Sequence, residues 1–313
     1  METRRLEYFL RIVDAGSISG AARDVGLSQP ALSQQLAILE AEMKAPLVHR
    51  SRHGATPTAA GQQLYRRARI LLRQLDDIRE IVRESRETIA GNVAVGFPTS
   101  VATAVSLPFV RAMVSQYPQI RLRMVEGYSG MLTERMRAGH LDMALLFHEA
   151  PVPGLRSEPL WREELLLVGH GQWRAPAQVT LSDLTGFPLM LPTADNSARQ
   201  AFDASLARSG LAVTPVCEID SIVTLKNAVV QGIGYTILPW TAVAAEVGAG
   251  RMSVSRVRDG ATFRVVSLST LEAAHPTPAL QRTGDLIRAL ADAASRSAGN
   301  IGVTSLREAR RRG

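Results

Sequence analysis

The chain has 313 residues, of which 46% are hydrophobic and 21% charged, a balance typical of globular proteins and not of disordered ones. A formal net charge of +7 does not by itself identify a nucleic-acid binder, because the distribution of the charge matters more than its sum. A single cysteine, Cys217, excludes a disulfide framework and a multi-cysteine zinc site. With no secretory signal and no apolar run of about 18 residues, the sequence predicts a cytoplasmic protein without metal, cofactor or membrane contact.

The N-terminal part of the chain is predicted to form three helices. Apolar residues at helical spacing indicate a helix that is capped by Thr3 and stopped by Gly16. A second helix is expected over Gly20–Val25, with Ser19 as its cap. A third should begin after Ser28, a good N-cap residue.

The two faces of the third helix differ in chemistry. Leucines form one stripe, and the opposite face carries Pro30, Ser33, Gln34 and Ala37. That face has no charge, although a solvated face normally carries Lys and Glu. Gln can pair bidentately with adenine, Ser with several base edges, and Ala with a thymine methyl. The pattern fits the recognition helix of a helix-turn-helix, and a small helical bundle with a polar surface is the alternative.

The charge pattern favours the DNA-binding alternative. Between Met43 and Leu75 the sequence has no acidic residue and the following positive ones: Lys44, Arg50, Arg52, Arg66, Arg67, Arg69 and Arg73. Residues 47–58 form short extended stretches interrupted by Gly and Pro, a pattern typical of a β-hairpin wing. We therefore predict that Ser28, Gln29, Pro30, Ser33 and Gln34 read bases. Contacts with the DNA backbone or minor groove are predicted for Arg50, Arg52 and His53.

These residues carry a family resemblance. The string LEYFLRIVDAGSISGAARDVGLSQPALSQQLAILEAEM, followed by LVHRSRHGATPTAAG, resembles the winged helix-turn-helix of LysR-type transcriptional regulators. Within that family, VDAGS, SQPALSQQ, EAEM, GATPTAAG, EIDSIVTL and TILP are similar to the nitrogen assimilation control proteins. The resemblance implies an operator in double-stranded DNA, self-association, RNA polymerase as a further partner, and no enzymatic activity. The narrower likeness implies action without a bound coinducer.

A long linker helix is predicted from Ala59, with Thr58 as its cap, to about Ser85. A heptad-like seam runs along it through Leu64, Ala68, Leu71, Leu75, Ile78 and Val82. Such a seam predicts dimerisation through a helix pair, which would place two reading heads on one operator. The alternative is a surface helix that packs on its own domain.

The remaining chain predicts a two-lobed α/β domain. Strand and helix patterns alternate over residues 91–295, which indicates a sheet with helices on its faces. The expected division is an N-terminal winged helix-turn-helix (1–58), a linker helix (59–90) and a lobed domain similar to periplasmic binding proteins. Lobe I is expected over about 91–162 and 267–295, and lobe II over about 163–266. Residues 296–313 are expected to be disordered, and the lobed domains to associate the dimers into a homotetramer.

Hydroxyls that follow the strands suggest where a small effector binds. Thr99, Ser100, Ser129, Thr193 and Ser221 each lie at a turn that leads into a predicted helix. Helix N-termini favour anions, so a small anionic effector is predicted there. The alternative is that these residues are ordinary N-caps. Two acids in the same turns, Asp195 and Asp220, would repel an anion.

Enzyme motifs do not support a different function. The sequence lacks a Walker motif, H-E-x-x-H and G-x-S-x-G, and no catalytic residue is predicted. The alternative from another class is a solute-binding module, or an enzyme, on the same lobed fold.

Overall fold

We describe a computed structural model of the chain, which covers residues 2–51, 54–83, 89–147, 151–258, 262–272, 277–296 and 300–306. The chain divides into two compact units. One consists of Met1–Gly91 with Glu134–Leu141, and the other of Asn92–Thr133 with Asp142–Gly313. No helix within the described residues is long and apolar enough to cross a membrane.

The first unit is a helical head with a hairpin wing and a long helix. Its elements are α1 (Thr3–Ala15), α2 (Ile18–Asp24), α3 (Gln29–Met43), β1 (Val48–Ser51), β2 (Gly54–Pro57) and α4 (Ala59–Arg83). Its core consists of side chains from α1 to α4 and from the wing, among them Leu6, Phe9, Leu36 and Ala55.

The predicted caps of the first two helices are wrong. Helix α1 begins at Thr3, so Glu2 takes the N-cap position, where it makes no side-chain cap bond. The N-cap of α2 is Ser17 and not Ser19, and its hydroxyl accepts a hydrogen bond from the Gly20 amide at 3.0 Å. Either serine is a chemically suitable cap, so residue type alone does not decide between them. The stop at Gly16, with φ of +61°, is confirmed.

The wing is fixed to the head by backbone and carboxylate contacts. The amide of Ala55 donates to the Gly16 carbonyl at 2.7 Å. A Cβ atom at Gly54 would lie 2.4 Å from that same oxygen, so the close approach requires glycine. On the other strand, the Glu40 carboxylate accepts from the amides of Leu47 (2.8 Å) and Val48 (3.2 Å). The wing is therefore held from two sides.

Helix α4 packs partly on its own head. Thr58 caps it as predicted, since its hydroxyl accepts from the Gly61 amide at 3.0 Å. Ala68 is buried in the head core and Leu64 packs against that core. The assignment of Ala68 to the dimer seam is therefore wrong. By contrast, Leu71 and Ile78 leave 42% and 56% of their surfaces exposed.

The second unit alternates strands and helices as the sequence predicted. Its elements up to the middle of the chain are β3 (Gly91–Phe97), α5 (Thr99–Gln116), β4 (Ile120–Glu126), α6 (Ser129–Arg137), β5 (Met143–Phe147), β6 (Leu155–His170) and β7 (Gln178–Thr180). After a short 3-10 helix, Asp183–Gly186, come β8 (Met190–Leu191), α7 (Ser197–Arg208), β9 (Cys217–Glu218), α8 (Ile222–Val230), β10 (Thr236–Pro239), α9 (Trp240–Gly248), β11 (Met252–Arg258), β12 (Phe263–Leu271), α10 (Pro278–Arg296) and β13 (Val303–Ser305).

Strand β6 joins the two lobes of this unit. In lobe I the strand order is β4-β3-β5-β12-β6, in which β3 and β5 are parallel and β12 is antiparallel to both of its neighbours. In lobe II the second half of β6 pairs with β10 and β11, and β11 pairs with β7. The chain returns to lobe I between β11 and β12. This two-lobed architecture confirms the predicted fold class.

The C-terminal segment corrects the prediction of a disordered tail. Strand β13 pairs antiparallel with β6, with Val303 opposite Glu163 and Ser305 opposite Trp161. Gly302 makes the turn into it, with φ of +70° and a carbonyl that accepts from the Glu164 amide at 2.7 Å. The prediction failed because this strand is specified by a partner some 140 positions earlier in the chain.

Candidate functional site

The predicted base-reading residues lie together at the start of α3. Ser28 is its N-cap, with a hydroxyl that accepts from the Ala31 amide at 3.3 Å. Pro30 lies in the first turn, where a missing N–H costs nothing. Ser28, Gln29, Pro30 and Gln34 are exposed and Ser33 is partly exposed. The opposite stripe of leucines is buried in the head core. Because the leucine face of α3 is buried, the opposite, polar face of the helix is the one exposed to solvent.

Two of these side chains are already paired with each other. The Gln29 amide nitrogen donates to the Ser33 hydroxyl at 3.0 Å, one helical turn away. This hydrogen bond restricts the Gln29 side chain, which remains exposed to solvent. An uncharged, preorganised polar surface of this kind suits hydrogen bonding to base edges.

Some of the positive side chains near the wing are already paired with carboxylates of the head. Arg50 is about half exposed but lies 3.5 Å from the Glu40 carboxylate. Arg69 is tied to Asp14 (3.3 Å) and to the Tyr65 hydroxyl. Burial, together with the hydrogen bond to Asp14, raises the pKa of Tyr65 to about 12. The predicted contacts Arg52 and His53 lie outside the described residues.

A second candidate site is a cleft within the lobed unit. It encloses about 510 Å³, including the part open to solvent, and Thr99, Ser100 and Ser129 all line it. These are three of the five residues predicted for the effector. Helices α5, α6, α7 and α8 begin at this cleft, through Thr99, Ser129, Ser197 and Ile222. Their N-termini bring partial positive charge to it.

The other two predicted residues do not line the cleft. The Thr193 amide and hydroxyl donate to Asp220, at 2.9 and 2.8 Å. Ser221 caps α8, with a hydroxyl that accepts from the Thr224 amide at 3.3 Å. For Ser221 the N-cap alternative is therefore correct. Asp220, to which Thr193 is bonded, is one of the residues that line the cleft.

Arg264 lines the cleft and forms a buried ion pair with Glu163. Arg264 is 5% exposed and Glu163 is 0% exposed, and their Nη2 and Oε1 atoms lie 2.5 Å apart. Arg264 also donates to the hydroxyls of Ser100 (3.2 Å) and Ser197 (3.1 Å), which belong to different lobes. Its guanidinium carbon is 3.7 Å from the centroid of the Phe147 ring. Burial lowers the pKa of Arg264, and the Glu163 charge only partly offsets this effect.

Sequence reasoning missed this pair, although a signal was present. Arg264 interrupts the apolar strand FRVVSL, and Glu163 stands beside Trp161 at the head of the apolar run LLLV. Charged residues in strands that are buried on both faces are uncommon unless they are paired. The sequence does not show which strands pair. In the structure, Arg264 lies opposite Glu163 in the β12–β6 pairing.

Metal ligation is not indicated by the described side chains. Within those ranges no three His, Cys, Asp or Glu residues lie close enough together to hold a metal ion.

An exposed helix with an uncharged polar face, a wing and a two-lobed domain with a cleft are the parts expected of a DNA-binding transcriptional regulator. A family model for bacterial regulatory helix-turn-helix proteins of the lysR family matches residues 3–62, and a model for the LysR substrate binding domain matches residues 86–292. The chain belongs to the LysR family of transcriptional regulators.

Individual relatives agree with this assignment. The nitrogen assimilation regulatory protein nac of Klebsiella aerogenes is 34% identical over 292 residues, which cover 93% of this chain and 95% of that protein. Among solved structures, a full-length OxyR variant from Pseudomonas aeruginosa gives a TM-score of 0.73 at 22% identity, covering 93% of this chain and 97% of that one. CbnR complexed with its target DNA gives 0.64 at 20% identity, covering 93% and 100%. At these identities the structures show the fold alone.

Proposed function

We propose that α3 reads an operator through Ser28, Gln29, Pro30, Ser33 and Gln34. The observation that carries this proposal is the uncharged, exposed face of α3, on which Gln29 and Ser33 are already hydrogen-bonded. The wing, through Arg50, Arg52 and His53, contacts the DNA backbone or the minor groove. Phosphate competes with Glu40 for Arg50, whose 3.5 Å ion pair is half exposed and weak.

Two reading heads are joined through α4. Residues Leu71 and Ile78 expose apolar surface on the predicted seam, with Leu75 partly buried between them. The side chain of Val82 lies outside the described residues. A dimer buries this stripe and places two recognition helices on two half-sites. Further exposed apolar side chains on the lobed unit, Leu107, Val114, Val216 and Val223, are available to join two dimers into a tetramer.

The substitution Ile78→Asp is expected to weaken the dimer by roughly ten-fold or more, because a carboxylate would be buried in an apolar helix pair. Analytical ultracentrifugation over a concentration series measures this change. Ile78→Leu keeps the seam apolar and serves as the matched control. An unchanged dimer constant for Ile78→Asp would remove the seam from the interface.

The lobed unit is proposed to bind a small effector with an anionic group in the cleft. Helix N-termini supply the positive potential for it, while Ser100 and Ser129 supply hydroxyls. Binding of a molecule between the lobes would favour one lobe arrangement over another, which is the physical requirement for a regulatory response.

The regulated process is proposed to be nitrogen metabolism, in the cytoplasm, with RNA polymerase as the partner at the promoter. The support is the 34% identity to the Klebsiella aerogenes regulator over nearly the whole chain. A genome-wide map of bound sites, with and without nitrogen limitation, tests the proposal. We expect discrete sites whose occupancy changes with nitrogen supply. Discrete sites without that change would refute the nitrogen role and leave the DNA-binding role in place.

A further inference from the structure

Glu40 joins the recognition helix to the wing through its two carboxylate oxygens. It lies in the last turn of α3, and its side chain is 19% exposed. Its Oε1 atom accepts hydrogen bonds from the amides of Leu47 (2.8 Å) and Val48 (3.2 Å). Its Oε2 atom lies 3.5 Å from the Nη2 atom of Arg50. One oxygen therefore binds the backbone of the wing, and the other binds a side chain that is proposed to meet DNA.

The Leu47 amide depends on Glu40 because the hairpin does not supply its acceptor. The Thr58 amide donates to the Leu47 carbonyl at 3.0 Å, but the Thr58 carbonyl accepts from the Gln62 amide at 2.8 Å, in the first turn of α4. The Leu47 amide donates to Glu40 instead. Leu47 is buried, and a buried amide that loses its acceptor costs more than an ordinary hydrogen bond contributes. The Oε1 atom of Glu40 therefore fixes the start of the wing.

The charge of Glu40 lies where an anion is otherwise unfavourable. The C-terminal end of a helix carries partial negative charge. Glu40 also follows Ser33 by about two helical turns, on nearly the same face of α3, and that face is the one proposed to meet DNA. Phosphates repel a carboxylate. In the free protein the two wing amides and Arg50 offset this charge. When a phosphate takes Arg50, the offset is reduced and Glu40 opposes the contact.

We propose that Glu40 is a positioning residue with two separable actions on DNA binding: its Oε1 atom holds the wing in place, and its Oε2 atom restrains Arg50 and thereby weakens binding to DNA of every sequence. This inference rests on the proposed contact between Arg50 and DNA, and it adds a residue that acts through Arg50 and through the wing backbone. Phosphate contacts supply nearly all of the affinity for unrelated DNA, so the restraint keeps the occupancy of such DNA low.

Two substitutions at Glu40 separate these actions. Glu40→Gln keeps an oxygen for both wing amides and removes the charge that holds Arg50, whereas Glu40→Ala removes both. The amides of Leu47 and Val48 should exchange about ten-fold faster in Glu40→Ala, because they lose their acceptor, and at nearly the natural rate in Glu40→Gln. Hydrogen–deuterium exchange on the full-length protein measures these rates. Equal exchange of the two amides in both variants overturns the proposal.

Fluorescence anisotropy at several salt concentrations measures the restraint, on an operator selected from random DNA and on unrelated DNA. Glu40→Gln should bind both about two- to five-fold more tightly, which is the range that an exposed ion pair allows. Its affinity should fall more steeply with salt, by up to about one in the logarithmic slope. Glu42→Gln is the matched control, because it removes the same charge from α3 but Glu42 pairs with Arg5 of α1. It should not reproduce the gain.

A double-mutant cycle with Arg50→Ala tests whether Glu40 acts through Arg50. In the Arg50→Ala chain, Glu40→Gln should no longer strengthen DNA binding, because no guanidinium remains to be released. A gain of the same size in that chain, or no gain in the chain that keeps Arg50, overturns the proposal. Arg50→Ala alone should weaken binding and flatten its salt dependence. If it changes neither, the proposed Arg50 contact and this inference both fail, whereas the base preference of the operator still reports on α3 independently.

Discussion

Replacing Arg264 by methionine is expected to lower the free energy of unfolding of the lobed unit by about 3–5 kcal/mol, because Glu163 would remain buried without its cation. Glu163 is 0% exposed and also accepts hydrogen bonds from Thr241 (2.9 Å) and Trp161 (3.3 Å). Those neutral donors do not replace the guanidinium charge. Denaturant unfolding followed by tryptophan fluorescence measures the effect, since Trp161, Trp173 and Trp240 all belong to this unit.

A neighbouring ion pair supplies the control for this prediction. Arg256 makes a bidentate pair with Glu164 at 2.8 Å, but its side chain is 51% exposed. Arg256→Met should therefore cost no more than about 1 kcal/mol. Replacing Arg264 and Glu163 together, by methionine and leucine, should recover most of the loss, because no unpaired charge then remains. Equal costs for Arg264→Met and Arg256→Met would show that burial does not govern the pair.

The substitution Gln34→Ala is expected to relax base preference at one operator position, at a cost of about 1–3 kcal/mol against the preferred base. Gln34 is exposed on the same face of α3 as Pro30, and its amide is the group able to form a bidentate pair with adenine. Selection from random DNA first defines the preferred operator. Competition against operators with single base changes then gives the position-by-position preference of each protein.

The control for this experiment is Gln200→Ala, which removes an exposed amide from α7 of the lobed unit and should leave base preference unchanged. If Gln34→Ala instead weakens binding equally on every DNA sequence, Gln34 contacts the backbone and not a base.

Local patterns were sufficient to predict the head. Ser28 and Pro30 specify the start of α3 by cap chemistry, and Thr58 specifies the start of α4 in the same way. Each of these features depends on a few adjacent residues. Where two neighbouring residues were equally suitable, as with Ser17 and Ser19, the pattern could not decide between them.

Features that depend on distant parts of the chain were not predicted. Helix α9, Trp240–Gly248, was missed because its sequence WTAVAAEVG is apolar on most faces and gives little periodicity. Ala68 is buried because α4 packs on the head. Heptad spacing within α4 does not predict this packing. The pairing of Arg264 with Glu163 requires the register of two strands about 100 residues apart.

Strand β13 affects where an isolated fragment of the effector domain should end. The family match ends at residue 292, yet residues 303–305 cover the side of β6 that β12 leaves open. A fragment that stops with α10 would leave unpaired N–H and C=O groups along Leu160 to Glu164, and such an edge invites strand pairing with a second molecule. Aggregation of a fragment trimmed to the family boundary would then reflect the missing strand and not a defect in the domain itself.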